Sequence, residues 1–323
     1  MYVSLDQAQK EFQNLIYRVE PKKVAEFLDW VSQSFVVSNS SYESGSTEFD
    51  DSGPLSDSDT LMRQIAMDIR NELPVTAELP SEALFLQQAG YDSDTTVHVD
   101  AFLYDDEDVD VLVDDGTLSR DYCAQCGSRK ILPLTFISHS LSIDQLRYAF
   151  TILVPLNKEM KDILVVDVGS RLGAVLYAVY SYGKGLVNAI GIEMNKQFCD
   201  LQQKMIEMNG MSNNIKVIHD DVRQQKQVVS SADVVVLNNV FSFFLSTSDQ
   251  VDCWEFLRKT IRPGAAIISC PDIVTVTNKL VLSFHISDWV EKIETGHLAA
   301  RYAGVNADLF EDCEKLMLYR VKS

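Results

Sequence analysis

Basic residues are scarce. The chain has 323 residues and sets 28 Lys and Arg against 47 Asp and Glu, for a formal net charge of −19. It has no basic tract of the kind that follows a phosphate backbone, so nucleic acid is not the expected partner. Long apolar runs are missing too. Nothing approaches the roughly 18 residues that cross a bilayer, and the first residues, MYVSLDQAQK, lack the basic-then-apolar order of a signal peptide. The expected setting is therefore cytoplasmic or nuclear, without membrane contact. Six cysteines are too few for a disulfide scaffold. Only 14 glycines occur, with 46% hydrophobic residues, which is the composition of a folding chain.

The negative charge is concentrated. Between Ser41 and Asp121 there are 21 acidic residues and three basic ones, Arg63, Arg70 and Arg120, which leaves the rest nearly neutral. Such a run reads as a solvated face or as a docking surface for a Lys- or Arg-rich protein. The spacing of Leu15, Val19, Val24, Phe27, Leu28 and Val31 predicts amino-terminal helices within 1–36. An acidic, Ser-rich linker is expected over 37–60, and an acidic extension over 61–146. Within the extension, helical pieces are expected at Thr60–Asn71 and Ser81–Ala89, and short strands over Val97–Val113.

From 147 to 323 the pattern changes. Apolar runs at Ile163–Val168, Leu186–Ile192, Ile215–Ile218, Asp233–Leu237 and Ala265–Cys270 read as buried strands. Helices are expected between them at Ala174–Tyr182, Lys196–Met208 and Val251–Ile261. This alternation predicts an α/β fold, a parallel sheet with helices on both faces. Leu282–Ile293 and Lys315–Val321 read as a closing antiparallel pair of strands.

The first of these strands runs into VVDVGSRLGAV, residues 165–175. Gly169 lets the backbone approach a ligand, because no side chain stands in the way. Glu193 ends the next strand, where a carboxylate can accept hydrogen bonds from both ribose hydroxyls. Asp221 follows the third strand and can receive an adenine amino group, with Asp220 as the alternative. A pyrophosphate-cradling G-x-G-x-x-G turn would need glycine at Asp167, which disfavours a nicotinamide site.

This trio resembles the class I S-adenosylmethionine-dependent methyltransferases, over roughly 147–321. The resemblance implies their Rossmann-like seven-stranded sheet. It also implies that Asp167, Gly169, Ser170 and Gly173 shape the methionine end, that Glu193 binds ribose, and that Asp221 and the Val222 amide read adenine. Within that class the chain is most similar to the non-SET histone lysine methyltransferases of the telomeric-silencing-disruptor type. The similarity rests on the Asp167–Gly173 loop, on Asn238-Asn239-Val-Phe241, and on Gly264-Ala-Ala-Ile-Ile-Ser269-Cys270. It implies a protein substrate, a lysine, with Asn238 bordering both cofactor and acceptor, Asn239 helping to orient the amine, and Phe241 walling the channel. Three features depart from that family. Arg171 stands in place of a glycine, Val240 in place of a phenylalanine, and Phe136-Ile-Ser-His-Ser140 in place of a Y-G-E segment. A nucleic-acid methyltransferase and an inactive scaffold of the same fold are the alternatives.

Cys123-Ala-Gln-Cys126-Gly127 has the spacing of a zinc knuckle, which needs two further ligands. His98 and His139 bracket it, so a structural zinc site of His98, Cys123, Cys126 and His139 is expected. The alternatives are a reduced or redox cysteine pair, and a place for His139 in the substrate loop.

Overall fold

A computed structural model describes residues 56–79, 82, 91–92, 94–124, 131–156, 163–242 and 244–323. All of them belong to one compact unit, Leu55–Ser323. The expected helices within 1–36 and the linker up to residue 55 lie outside the described residues, and so does the expected helix at 81–89 except for Glu82.

Seven strands form the central sheet. They are β5 (Leu164–Val168), β6 (Asn188–Glu193), β7 (Ile215–His219), β8 (Val234–Asn238), β9 (Ala266–Cys270), β10 (Val290–Ile293) and β11 (Met317–Val321). Their spatial order is β7-β6-β5-β8-β9-β11-β10. All run parallel except β11, which pairs antiparallel with both β9 and β10. This is the seven-stranded arrangement the sequence resemblance implied. Of the expected strand over Leu282–Ile293, only the last four residues, Val290–Ile293, are strand. Ile286–Trp289 makes a helical turn instead, with Trp289 edge-on to Trp254 and Phe284.

The central strands are apolar because both faces are covered. On β5, Val165 belongs to one buried cluster and Val166 and Val168 to the other, as the period-two alternation of a strand requires. One cluster holds α4 (Ala174–Tyr182) and α5 (Lys196–Met208), and the second holds Val229 of α6 (Lys226–Ser231) and α7 (Thr247–Thr260). Every residue of α4 except Tyr180 is buried, so its sequence shows no polar stripe. The N-caps follow side-chain chemistry. Asn195 accepts from the Gln197 amide to start α5, and Ser246 accepts from the Asp249 amide to start α7.

The acidic extension is packed onto this sheet layer. Helix α1 (Asp57–Arg70) begins inside the stretch expected to be linker, because Ser56 caps it. It buries Met62, Ile65 and Ile69 in the cluster that holds α4. Strand β1 (Thr96–His98) pairs parallel with β4 (Thr135–Ile137), and β2 (Asp121–Cys123) pairs antiparallel with β3 (Ile131–Pro133). In the rest of the expected strand region, residues 99–105 form an irregular turn and residues 106–113 are helical. In α2 (Asp106–Asp114), Asp105 and Asp108 exchange side-chain-to-amide bonds in a capping box, and this overrides the weak alternation of the sequence. Helix α3 (Ile143–Tyr148) continues into a π-helical turn, Ala149–Leu153, and leads to β5.

Asp59 ties α1 to the sheet layer. Its Oδ1 accepts from Arg147 Nε at 2.9 Å and from the Tyr182 hydroxyl at 2.8 Å, while Ser56 Oγ donates to Oδ2 at 2.7 Å. Burial pushes this carboxyl up, but the Ser56 bond, the Arg147 charge and the Tyr182 bond hold it below its usual range. A depressed acid contributes stability above its unfolded value and loses it as pH falls through the folded one. Asp59→Asn is expected to cost about 2 kcal/mol in urea unfolding at pH 7. The difference from wild type should shrink below pH about 4.

Candidate active site

The chain moves outward from β5 through β6 to β7, then returns to β8 and β9 on the other side. The crevice at the carboxyl ends of β5 and β8 is therefore the topological switch point of the sheet, where ligands bind in open α/β folds. A cavity of about 330 Å³ lies there, within the size range of small-molecule sites. Gly169, Arg171, Glu193, Asp221, Val222, Asn238, Asn239 and Phe241 all line it.

Glu193 is the best-held of these groups. It closes β6, is 9% exposed, and has each oxygen taken by a main-chain amide. Arg171 N–H donates to Oε2 at 2.9 Å and Asn195 N–H to Oε1 at 2.7 Å. Burial nevertheless pushes its carboxyl up, against the pull of those two bonds. The remaining lone pairs can still accept from a vicinal diol. Met194, 58% exposed, and Val222 offer apolar surface beside it for a flat ring.

Gly169 supplies a close approach. Its φ is 74°, and a Cβ there would stand 2.5 Å from Val240 Cγ2. The other members of the expected loop act from behind. Asp167, Ser170 and Gly173 do not appear in the cavity wall. Ser170 Oγ donates to Gln202 Oε1 at 2.8 Å under the loop, and Gly173, with φ of 84°, starts α4 against the Tyr177 hydroxyl. Asp167 is 3% exposed. Burial, with Glu193 nearby, pushes its carboxyl up to about 8.

At the third strand tip, Asp221 is gripped by Arg223, whose Nε and Nη2 reach its carboxylate at 3.0 and 2.6 Å. The bond to Arg223 and its charge hold Asp221 below the usual range, although burial works against them. Asp220 also lines the cavity, but its oxygens already accept from the Asp221 amide and from Gln225 Nε2.

The β8 end of the cavity has a different character. Asn238 Nδ2 donates to the His139 carbonyl at 2.9 Å. Asn239 sits in the left-handed region, with φ of 49°, and its amide donates to the Cys270 carbonyl at 2.6 Å. Asn tolerates that conformation better than most residues. Phe241 packs edge-on against Trp254, while Phe244 and Leu245 extend the apolar wall and the Phe244 ring lies 5.3 Å from that of His139. The sequence reading overlooked Phe244 and Glu82. It placed His139 in either a zinc site or the substrate loop, and the residue lines the cavity.

The expected zinc site does not form among the described residues. His98 and His139 do come together, but as stacked rings 4.7 Å apart at 26°. Near-parallel rings do not aim their in-plane lone pairs at one point. His98 Nδ1 also lies 2.5 Å from the Thr76 carbonyl. Both rings are buried, whereas Cys123 is exposed on β2. Cys126 lies outside the described residues, and no group of three metal-binding side chains converges among those described. Burial and the Arg171 charge push His98 down. Burial, His98 and Arg171 push His139 down to about 3, so both stay neutral at physiological pH.

No known family and no curated protein matches the chain. Solved structures do. An RNA methyltransferase from Salinibacter ruber in complex with S-adenosyl-L-homocysteine is similar at 16% identity, with 53% of this chain and 84% of that one covered and a TM-score of 0.33. A methyltransferase from Geobacter sulfurreducens is 13% identical, over 56% and 78%, with a TM-score of 0.36. A putative O-methyltransferase from Klebsiella pneumoniae is 11% identical, over 58% and 84%, with a TM-score of 0.36. Identities and scores this low leave cofactor, acceptor and reaction to be read from the site itself. No described helix is long and apolar enough to cross a membrane.

A raised carboxyl contributes stability that is full below its unfolded value, near 4, and lost as pH climbs through the folded one. The melting temperature is thus expected to fall between pH 5 and pH 8.5, and Asp167→Asn is expected to flatten that slope. Parallel slopes in scanning fluorimetry would assign the ionisation to another group.

Proposed function

We propose that the chain is an S-adenosylmethionine-dependent methyltransferase and that its acceptor is an amine, a protein lysine. The observation that carries this reading is that the tips of β5, β6, β7 and β8 open on one cavity, with a bare glycine at the first and a buried, doubly bonded carboxylate at the second. The residues fit that ligand. Gly169 leaves room that a Cβ would fill, Glu193 has the acceptor capacity for a diol, and Val222 and Asp221 border a place for a base. The described charged lining consists of Glu82, Glu193, Asp220 and Asp221 against Arg171 alone. Such a lining favours a cationic ligand and disfavours a polyanion.

When bound, the cofactor supplies a methyl group on a positively charged sulfur that leaves as a neutral thioether. The protein's part is positioning and exclusion of water. Asn238, fixed by the His139 carbonyl, keeps its side-chain oxygen available to an amine. Phe241, Phe244 and Leu245 make an apolar wall that disfavours the charged form of a lysine and so promotes loss of its proton. The acidic extension suits a basic protein better than a phosphate backbone, and this supports a protein over RNA or DNA.

Calorimetry with S-adenosylhomocysteine, followed by labelled-methyl transfer to a cell lysate divided into protein and nucleic acid, tests the reading. Label in protein is expected. Label in RNA would overturn the acceptor, and binding without any transfer would favour a scaffold. Asn238→Ala is expected to leave cofactor affinity within about twofold while lowering turnover about 100-fold. Loss of cofactor binding in a folded variant would assign Asn238 to the cofactor instead.

A further inference from the structure

Arg171 keeps a glycine's backbone without being glycine. Its φ is 41°, a left-handed conformation that costs a non-glycine residue free energy. Its side chain is held in the interior. Nε and Nη2 reach the two oxygens of Glu82 at 3.0 and 3.3 Å, Nη1 reaches Asp100 Oδ2 at 2.7 Å, and Nη2 also donates to the Ala77 carbonyl at 2.8 Å. The guanidinium lies 5.0 Å above the Phe198 ring. Asp100 is 0% exposed and is further fixed by the Ser140 hydroxyl at 2.8 Å and the Phe102 amide at 3.0 Å. The main chain is pinned as well, since the Arg171 carbonyl accepts from Gln202 Nε2 at 2.8 Å.

A buried ion network is weak evidence of stability in itself, because desolvation offsets much of the attraction. What this one does locally is specific. It fixes the peptide whose N–H is bonded to Glu193 Oε2. We propose that the Glu82–Arg171–Asp100 network is a positioning device, through which the acidic extension aims the Arg171 amide at Glu193 and so sets the carboxylate that meets the ribose. The inference rests on the methyltransferase reading above. Arg171 and Glu82 act here through Glu193, and they are positioning residues.

The test compares the affinity of S-adenosylhomocysteine with that of its 2′-deoxy analogue, measured by calorimetry on the full chain. Wild type is expected to prefer the hydroxylated ligand by about tenfold, equivalent to about 1.4 kcal/mol. Arg171→Gly tolerates the same φ and retains the amide, but loses the side chain that aims it. It is expected to weaken S-adenosylhomocysteine by about tenfold while changing the deoxy analogue by less than about twofold, so that the preference disappears. A general structural role would weaken both ligands alike. Equal weakening, or a preserved preference in Arg171→Gly, overturns the inference and leaves the functional reading intact. Failure of wild type to bind either ligand overturns both. Should Arg171→Gly not fold, Glu82→Gln reads the same ratio with Asp100 still holding the guanidinium, and an unchanged preference there overturns the inference equally.

Discussion

The carboxylate of Glu193 is the constraint on which the site depends. An acid this deeply placed persists only if its oxygens are met by donors, and here both donors are main-chain amides from turns that follow sheet strands. The geometry of those turns is thus inseparable from the charge at the strand tip. The turn after β5 also carries the glycine that opens the cavity and the arginine that reaches into the extension. Strand register, loop conformation and ligand chemistry meet in a stretch of three residues, Gly169 to Arg171.

Charge in this protein works at two ranges. At the surface, the exposed acids described in the Ser41–Asp121 segment, such as Asp106, Glu107 and Asp110, set up a negative field that salt weakens. Inside, Glu82 and Asp100 from the same segment are desolvated and satisfied by one guanidinium. Like Asp59, which Arg147 and Tyr182 hold, these two acids have fixed places that the run's composition does not reveal.

Much of the sheet was legible because buried parallel strands leave nearly unbroken apolar runs. β5, β7, β8 and β9 were placed within a residue or two, and α4 and α5 to the residue. The two helices between β10 and β11, Gly296–Ala303 and Ala307–Glu314, were not read, since each is eight residues long and only partly buried. At the site, Gly169, Glu193, Asp221 and Asn238 could be found because each sits where a strand ends. Glu82 could not. It is one of 21 acids in its segment, and its partner lies 89 residues further on, a distance no local pattern spans. Arg171 looked like a defect in a glycine turn until its side chain was seen to be occupied. The zinc reading failed among the described residues because spacing suggests that two histidines can meet, but not that they meet face to face.

Met62, Ile65, Ile69, Phe102 and Leu103 of the extension share a single apolar cluster with α4 and with Val165 of β5. The helix they cover has almost no polar surface of its own to present to water. A cut that removed residues 56–156, the described part of the extension, would strip that helix of its cover. The bared apolar face would favour association between copies of the sheet layer, so residues 56–156 shield the sheet from self-association.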